Sequence, residues 1–299
     1  MDKYQIVLDV WEGQLEMDEA AFLAAGVAGL VIRLNHMAGG HHMDEAFQKY
    51  WDASAAFLRW PYFVYNPWVD GQSNYNWLAA HAPVCNMVSV DIEVKYPDYS
   101  SHEYARQVAK FLALAKTRWN INVYTGEWFL EYLDTWPADT DYWWAQYPYK
   151  VYPPERTNLT WEQLRALIIT LNWPPVNAAR CPGSIKLWQC SGDRLLLPGS
   201  IRALDINLWP GSLESLAGWV GSPVPTIPQP PVPPPPPYTP YKVTAVALNI
   251  RETPPVNGVL GKWIGWRKLG DIVNVIKIEN GWAQLSPTGW CNASYLKKV

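Results

Sequence analysis

Asp91 and Glu93 close an apolar run, Asn86-Met-Val-Ser-Val-Asp-Ile-Glu93, with one residue between them. Side chains two apart on a strand share a face. Both carboxylates then project together from a strand whose Met87, Val88 and Val90 suit a buried sheet. Two acids side by side in a dry place oppose each other's ionisation, and one pKa rises. Hydrolysis of a glycosidic bond needs such a pair: one carboxylic acid to protonate the leaving oxygen, one carboxylate to meet developing positive charge. A solvated strand end, with one acid paired to a Lys or Arg, has the same spacing, and spacing alone does not separate the two.

The elements that must position these acids alternate along the first 210 residues or so. Apolar runs at 4–8, 29–34, 62–65, 87–92, 121–124, 142–145 and 185–188 read as strands. Between most of them lie segments with helical spacing, clearest over 103–116, where Tyr104, Val108, Phe111, Leu112 and Ala115 fall on one stripe. Ser100-Ser-His-Glu103 reads as a capping box opening that helix, and Thr160-Trp-Glu-Gln163 opens another in the same way. Strand–helix repetition of this kind predicts an α/β fold with a parallel sheet. No Gly-rich phosphate loop follows the first strand, and Asp9, Asp91 and Glu93 all fall at carboxyl ends of strands. A TIM-like (β/α) barrel is therefore expected rather than an open sheet. Residues 181–209 read as strands joined by turns, so the barrel should be irregular.

Residues 223–240 hold eleven prolines, including the run Pro233–Pro237. Such a stretch favours polyproline II and would span roughly 55 Å as a semi-rigid spacer. The expected organisation is a barrel over 1–221, a linker over 222–240 and a small domain over 241–299. The last part reads as short strands at 243–250, 272–278, 282–285 and 289–291, with Asn280-Gly281 as a hairpin turn. That pattern predicts a small all-β barrel.

The formal charge of −3 is spread without a basic block, which argues against a nucleic-acid partner. Nineteen Trp and 17 Tyr against six Phe is the compositional outlier. Trp and Tyr join a flat apolar face to a polar tip, and sugar rings stack on such faces. Any single ring can equally be core filler. The N-terminal apolar run is too short for a signal peptide, and no stretch approaches a membrane span. Manufacture in a cytoplasm, with any route outward needing outside help, is the expectation. Cys85, Cys181, Cys190 and Cys291 lack zinc-site spacing and read as reduced thiols. His36, His41 and His42 lie by Gly39-Gly40 without fixed ligand geometry, so neither metal nor cofactor is expected.

Residues 4–210 resemble the family 25 glycoside hydrolases, lysozymes that cut peptidoglycan glycan chains. The matching pieces are Leu8-Asp-Val10 with Gln14, Val31-Ile-Arg33, Val90-Asp-Ile-Glu93, Val123-Tyr-Thr-Gly126, Trp144-Ala-Gln-Tyr147 and Leu187-Trp-Gln189, then Pro198-Gly199 and Leu204-Asp-Ile-Asn207. The resemblance implies a muramidase acting on the β-1,4 bond between N-acetylmuramic acid and N-acetylglucosamine. It implies Glu93 as general acid, Asp91 beside it to stabilise positive charge or orient the acetamido group, and Asp9 and Asp205 completing a ring of four acids. Tyr65, Tyr124 and Trp188, near strand ends, are candidates to line the sugar groove, and Arg33 to lower the charge density of the ring; a core position and a rim salt bridge are their respective alternatives.

Two positions depart from the family pattern: Trp11 stands where a small polar residue is usual, and Tyr65-Asn66 where a Tyr-His pair is common. They bring subsite shape and pH optimum into question, and they keep open an inactive wall-binding or phage structural protein, or a hydrolase of a related polymer such as chitin. Residues 241–299 are similar to bacterial SH3-type wall-binding modules, on Ala247-Leu-Asn-Ile-Arg251, Gly270-Asp271, Gly281-Trp-Ala-Gln-Leu285, Gly289-Trp290 and Ser294-Tyr-Leu296. The combination looks like a phage endolysin. Bacterial peptidoglycan is then the expected partner of a monomer that binds neither nucleic acid nor membrane.

Overall fold

A computed structural model describes residues 3–14, 17–37, 40–148, 151, 156–192, 194–225, 239–256, 258–286 and 289–299. The chain divides into two compact units, 1–227 and 228–299. The polyproline expectation falls largely on 226–238, outside the described residues.

The first unit is a closed eight-stranded barrel. Its strands are β1 (Gln5–Val10), β2 (Val27–Arg33), β3 (Leu58–Val64), β4 (Met87–Asp91), β5 (Asn120–Gly126), β6 (Asp141–Ala145), β7 (Ser184–Ser191) and β8 (Asp205–Trp209). Each neighbours the next around the ring, and β8 closes on β1. Strands β1 to β7 pair in parallel, whereas β8 is antiparallel to both β7 and β1. The irregularity expected near the end is thus one reversed strand.

Helices cover the outside: α1 (Glu19–Ala24), α2 (Phe47–Ala53), α3 (Gly71–His81), α4 (Ser101–Ala115) and α5 (Trp161–Ile168). Helix α4 buries Tyr104, Val108, Phe111, Leu112 and Ala115, the stripe read from spacing. Thr160 and Gln163 form the full capping box of α5. At α4 only half forms: Ser100 Oγ accepts from the Glu103 amide, but the Glu103 carboxylate turns to Arg106 and Gln107 instead. A charged hydrogen bond to a guanidinium outcompetes the return bond to the backbone.

Outward side chains of the strands, such as Leu8, Ile32, Phe63, Val90, Val123 and Ile206, pack under the helices. Inward ones, including Val7, Val31, Trp60, Met87, Trp143 and Trp209, form a second core. A sixth helix, α6 (Leu213–Val220), packs Leu216, Ala217 and Val220 onto this inner core, and Trp219 Nε1 donates to Asp141 at 2.8 Å. That cluster plugs one end of the barrel and leaves the other for chemistry. Among the described residues no helix is long and apolar enough to cross a membrane.

The second unit is a seven-stranded antiparallel sheet of β9 (Thr239–Val243), β10 (Ala247–Arg251), β11 (Trp263–Lys268), β12 (Ile272–Glu279), β13 (Trp282–Ser286), β14 (Trp290–Asn292) and β15 (Leu296–Lys298). Its spatial order is β11-β10-β14-β13-β12-β9-β15. Asn280 (φ 49°) and Gly281 (φ 77°) both take left-handed backbone, making the hairpin expected of that pair. The single strand expected over 243–250 is two strands, and β9 starts inside the stretch read as linker.

Candidate active site

Strand parity decides which side chains reach the open end. On β1, Leu8 and Val10 pack outward, so Asp9 points in. On β4 the inward set is Met87, Ser89 and Asp91, and Glu93 continues it past the strand end. Because β8 runs backwards, its first residue, Asp205, lands at the same mouth, paired in register with Asp9. All four acids line one cavity of about 1260 Å³, together with Trp11, Tyr62, Tyr124, Trp128, Tyr147 and Gln189 among others. That exceeds the range usual for a single small ligand and suits an oligomer.

Directly opposed like charges destabilise a sheet, and specific donors relieve the Asp9–Asp205 pair. Asn207 Nδ2 (2.8 Å) and Gln189 Nε2 (3.1 Å) both donate to Asp9 Oδ2, while Gln14 Nε2 donates to Asp205 Oδ2 at 3.3 Å. The donors are held in turn. Tyr124 and Tyr147 hydroxyls donate to Gln189 Oε1 at 2.8 and 2.7 Å, and Trp143 Nε1 donates to Asn207 Oδ1 at 2.6 Å. With each amide oxygen occupied by a donor, each NH₂ is turned toward Asp9. Gly192 allows the close approach, since a Cβ there would sit 2.7 Å from both Asp205 Oδ1 and the Tyr147 hydroxyl.

Burial pushes Asp9 up to about 6, against the pull of the Asn207 and Gln189 bonds. Asp91 is raised well above the ordinary carboxylate value, by burial first and then by Glu93 and Asp9. One of its oxygens, Oδ1, is buried with no hydrogen-bond partner among the described residues. Glu93 is raised too, by enclosure and by Asp9, although its side chain still meets solvent in the cavity. A carboxyl whose pKa is raised, wet on one side and flanked by a second buried acid, is suited to give a proton to a ligand oxygen.

Arg33 lines the cavity but is held by acids of its own, with Nη2 2.9 Å from Glu12 Oε1 and Nε 2.7 Å from Asp44 Oδ2. Its guanidinium also lies 4.5 Å from the Trp11 ring. Trp11, stacked there and folded over Gly13, forms wall and leaves the cavity open. Two expectations are corrected. Tyr65 is buried in the outer core against Tyr104 and Phe111, and Trp188 is buried with Nε1 donating to the Gln146 carbonyl. Each has the parity opposite to its inward neighbour, Val64 or Gln189. Tyr124 does line the cavity, as do Tyr62, Tyr147 and Trp128, which the sequence reading did not single out. Counting in twos from Asp9 and Asp91 would have found Tyr62 and Asn207 through strand pairing. Among the described residues no cluster of His, Cys, Asp and Glu could hold a metal, and none of the four cysteines forms a disulfide.

No protein-family model matches the chain, and no curated protein does. Solved structures do. A family 25 glycosyl hydrolase from Bacillus anthracis aligns with TM-score 0.55 and 13% identity, covering 74% of this chain and 95% of that one. A bacterial lysozyme from Streptomyces coelicolor gives 0.54 and 17%, covering 72% and 96%. A muramidase from Trichobolus zukalii gives 0.53 and 13%, covering 72% and 98%. Over 72–74% of its length the chain therefore has the fold of the family 25 glycoside hydrolases.

Proposed function

We propose that the chain is a peptidoglycan hydrolase, a muramidase cutting the β-1,4 bond between N-acetylmuramic acid and N-acetylglucosamine. The observation that carries this reading is the convergence of Asp9, Asp91, Glu93 and Asp205 in one oligomer-sized cavity, with the pKa values of Asp9, Asp91 and Glu93 raised. The family 25 fold and the lysozyme relatives support it.

Glu93 gives its proton to the glycosidic oxygen as the C1–O bond breaks. The acetamido oxygen of the same sugar closes on C1, and Asp91 accepts from the acetamido N–H and offsets the positive charge. Water, losing its proton to Glu93, then opens the ring intermediate with net retention. Asp9, fixed by Asn207 and Gln189, adds negative potential, and Asp205 orients the sugar beside it. The inactive-protein alternative loses ground because Trp11 stacks on Arg33 rather than filling the cavity. The second unit would hold the wall as an SH3-type module, giving the endolysin-like arrangement of a tethered enzyme.

Digestion of purified walls, followed by mass analysis of reduced fragments, tests the reaction. Muramic acid at the new reducing ends supports a muramidase. Glucosamine ends, free peptides or release from chitin alone would overturn it.

A further inference from the structure

The second unit exposes an unusual row of side chains. Strand β11 carries Trp263 and Trp266, 55% and 54% exposed, three residues apart. A regular strand would send them to opposite faces. The pairing with β10 slips between Ile250 and Arg251, so Trp266 lies opposite Asn249 and Trp263 opposite Arg251. Asn249 and Arg251 share the outer face, because Leu248 and Ile250 are in the core. The bulge thus puts both indoles on one side. Arg251 also pairs with Trp290, Trp290 with Gln284 and Gln284 with Lys277. The result is a cross-strand row, Trp263–Arg251–Trp290–Gln284–Lys277, with Trp266 beside it.

Its contacts are local and light. Trp263 Nε1 donates to Asn249 at 3.2 Å, Arg251 donates to the Gly261 carbonyl at 2.8 Å, and Lys277 lies 5.7 Å from the Trp290 ring while pairing with Glu279 at 3.0 Å. Trp263 and Trp290 stand two strands apart, roughly 10 Å. In an extended β-1,4 glycan successive rings are flipped, so the same apolar face recurs once per disaccharide, a comparable distance. Charge points the same way. Residues 241–299 hold eight Lys and Arg against three acids, a net charge of +5, whereas residues 1–240 carry −8.

We propose that this outer face binds a β-1,4-linked amino-sugar chain bearing carboxylates, Trp263 (with Trp266 beside it) and Trp290 stacking on alternate sugars, and Arg251 and Lys277 meeting the carboxylates. The inference deepens the wall-hydrolase reading by naming the part of the wall the second unit grips, and it rests on that reading only for the identity of the glycan. Indole faces and an interleaved cation favour a glycan over a peptide, which would seek backbone partners, and over a polyol phosphate, which has no ring to stack.

The test uses the full chain carrying Glu93→Gln, so that probes survive, with peptide-free glycan strands from bacterial walls, chitohexaose, and stem peptides as probes. Adding Trp263→Ala and Trp266→Ala should weaken binding to glycan strands on the order of tenfold, given the apolar area of two indoles. Lys277→Gln should weaken glycan strands and spare neutral chitohexaose. Unchanged melting temperature and circular dichroism would show these exposed substitutions to be folded. Unaltered glycan binding by the Trp variants, or a preference for stem peptides, would overturn the proposal. Failure of the hydrolase reading shows separately, as absent fragment release by the unsubstituted chain.

Discussion

The barrel mouth and the outer face of the second unit both present groups suited to sugar, yet they are built oppositely. The mouth gathers four acids around buried carboxyls, one with an oxygen that has no partner among the described residues. The outer face displays indoles more than half exposed. Burying charge opposes folding, while leaving an indole on the surface costs little. Function and stability should therefore conflict at the mouth and be nearly independent on the face.

Asp91→Asn puts the sharpest strain on that contrast. It should lower turnover by about 10²–10⁴-fold, the scale of losing an essential charged group, and raise stability at alkaline pH, where the parent must hold a buried charge that the amide lacks. The sign follows from linkage. A carboxyl whose pKa is raised by folding contributes stability at low pH and loses it as pH climbs through the folded pKa. Denaturant melts of the parent should show stability falling as pH rises through about 6, the value for Asp9, and through the raised range of Asp91; Asp91→Asn should remove the Asp91 share of that fall. A destabilised Asp91→Asn chain would break the comparison.

Next in size, Asn207→Leu removes one of two donors to Asp9. The Asp9 pKa should then climb above about 6, moving the corresponding limb of the rate–pH profile to higher pH. A merely structural Asn207 would lower the rate without moving the limb. On the outer face, Trp263→Ala with Trp266→Ala should change unfolding free energy by within about 0.5 kcal/mol, checked by the same melts.

The smallest effect concerns His41, between Asn35 and Asn74, whose burial holds its pKa down at about 4 rather than 6.5. A depressed histidine pKa makes stability fall as pH drops from 6.5 through 4. His41→Gln should soften that loss, read by acid titration of the fold.

The barrel was legible because its strands are apolar runs and its helices carry clear stripes. Asp91 and Glu93 were legible because they share a parity at one strand end. Parity also explains the misses. Tyr65 and Trp188 were placed by nearness to strand ends, but each follows or precedes an inward residue by one. On β7 the alternation is itself broken, since pairing with β6 slips between Ile185 and Leu187. Strand β11 escaped notice because Trp263-Ile-Gly-Trp-Arg-Lys268 has no alternation; Gly265 and the bulge that aligns the indoles erase it. The donors to Asp9 come from two separate strands, a pairing that only closure of the ring with β8 reversed brings about.

The account stands or falls on Glu93 as the proton donor. Initial rates of wall-fragment release by Glu93→Gln should fall by at least about 10²-fold across the pH range, with wall binding retained because the amide keeps the carboxyl's shape. Release at near the parental rate would contradict it.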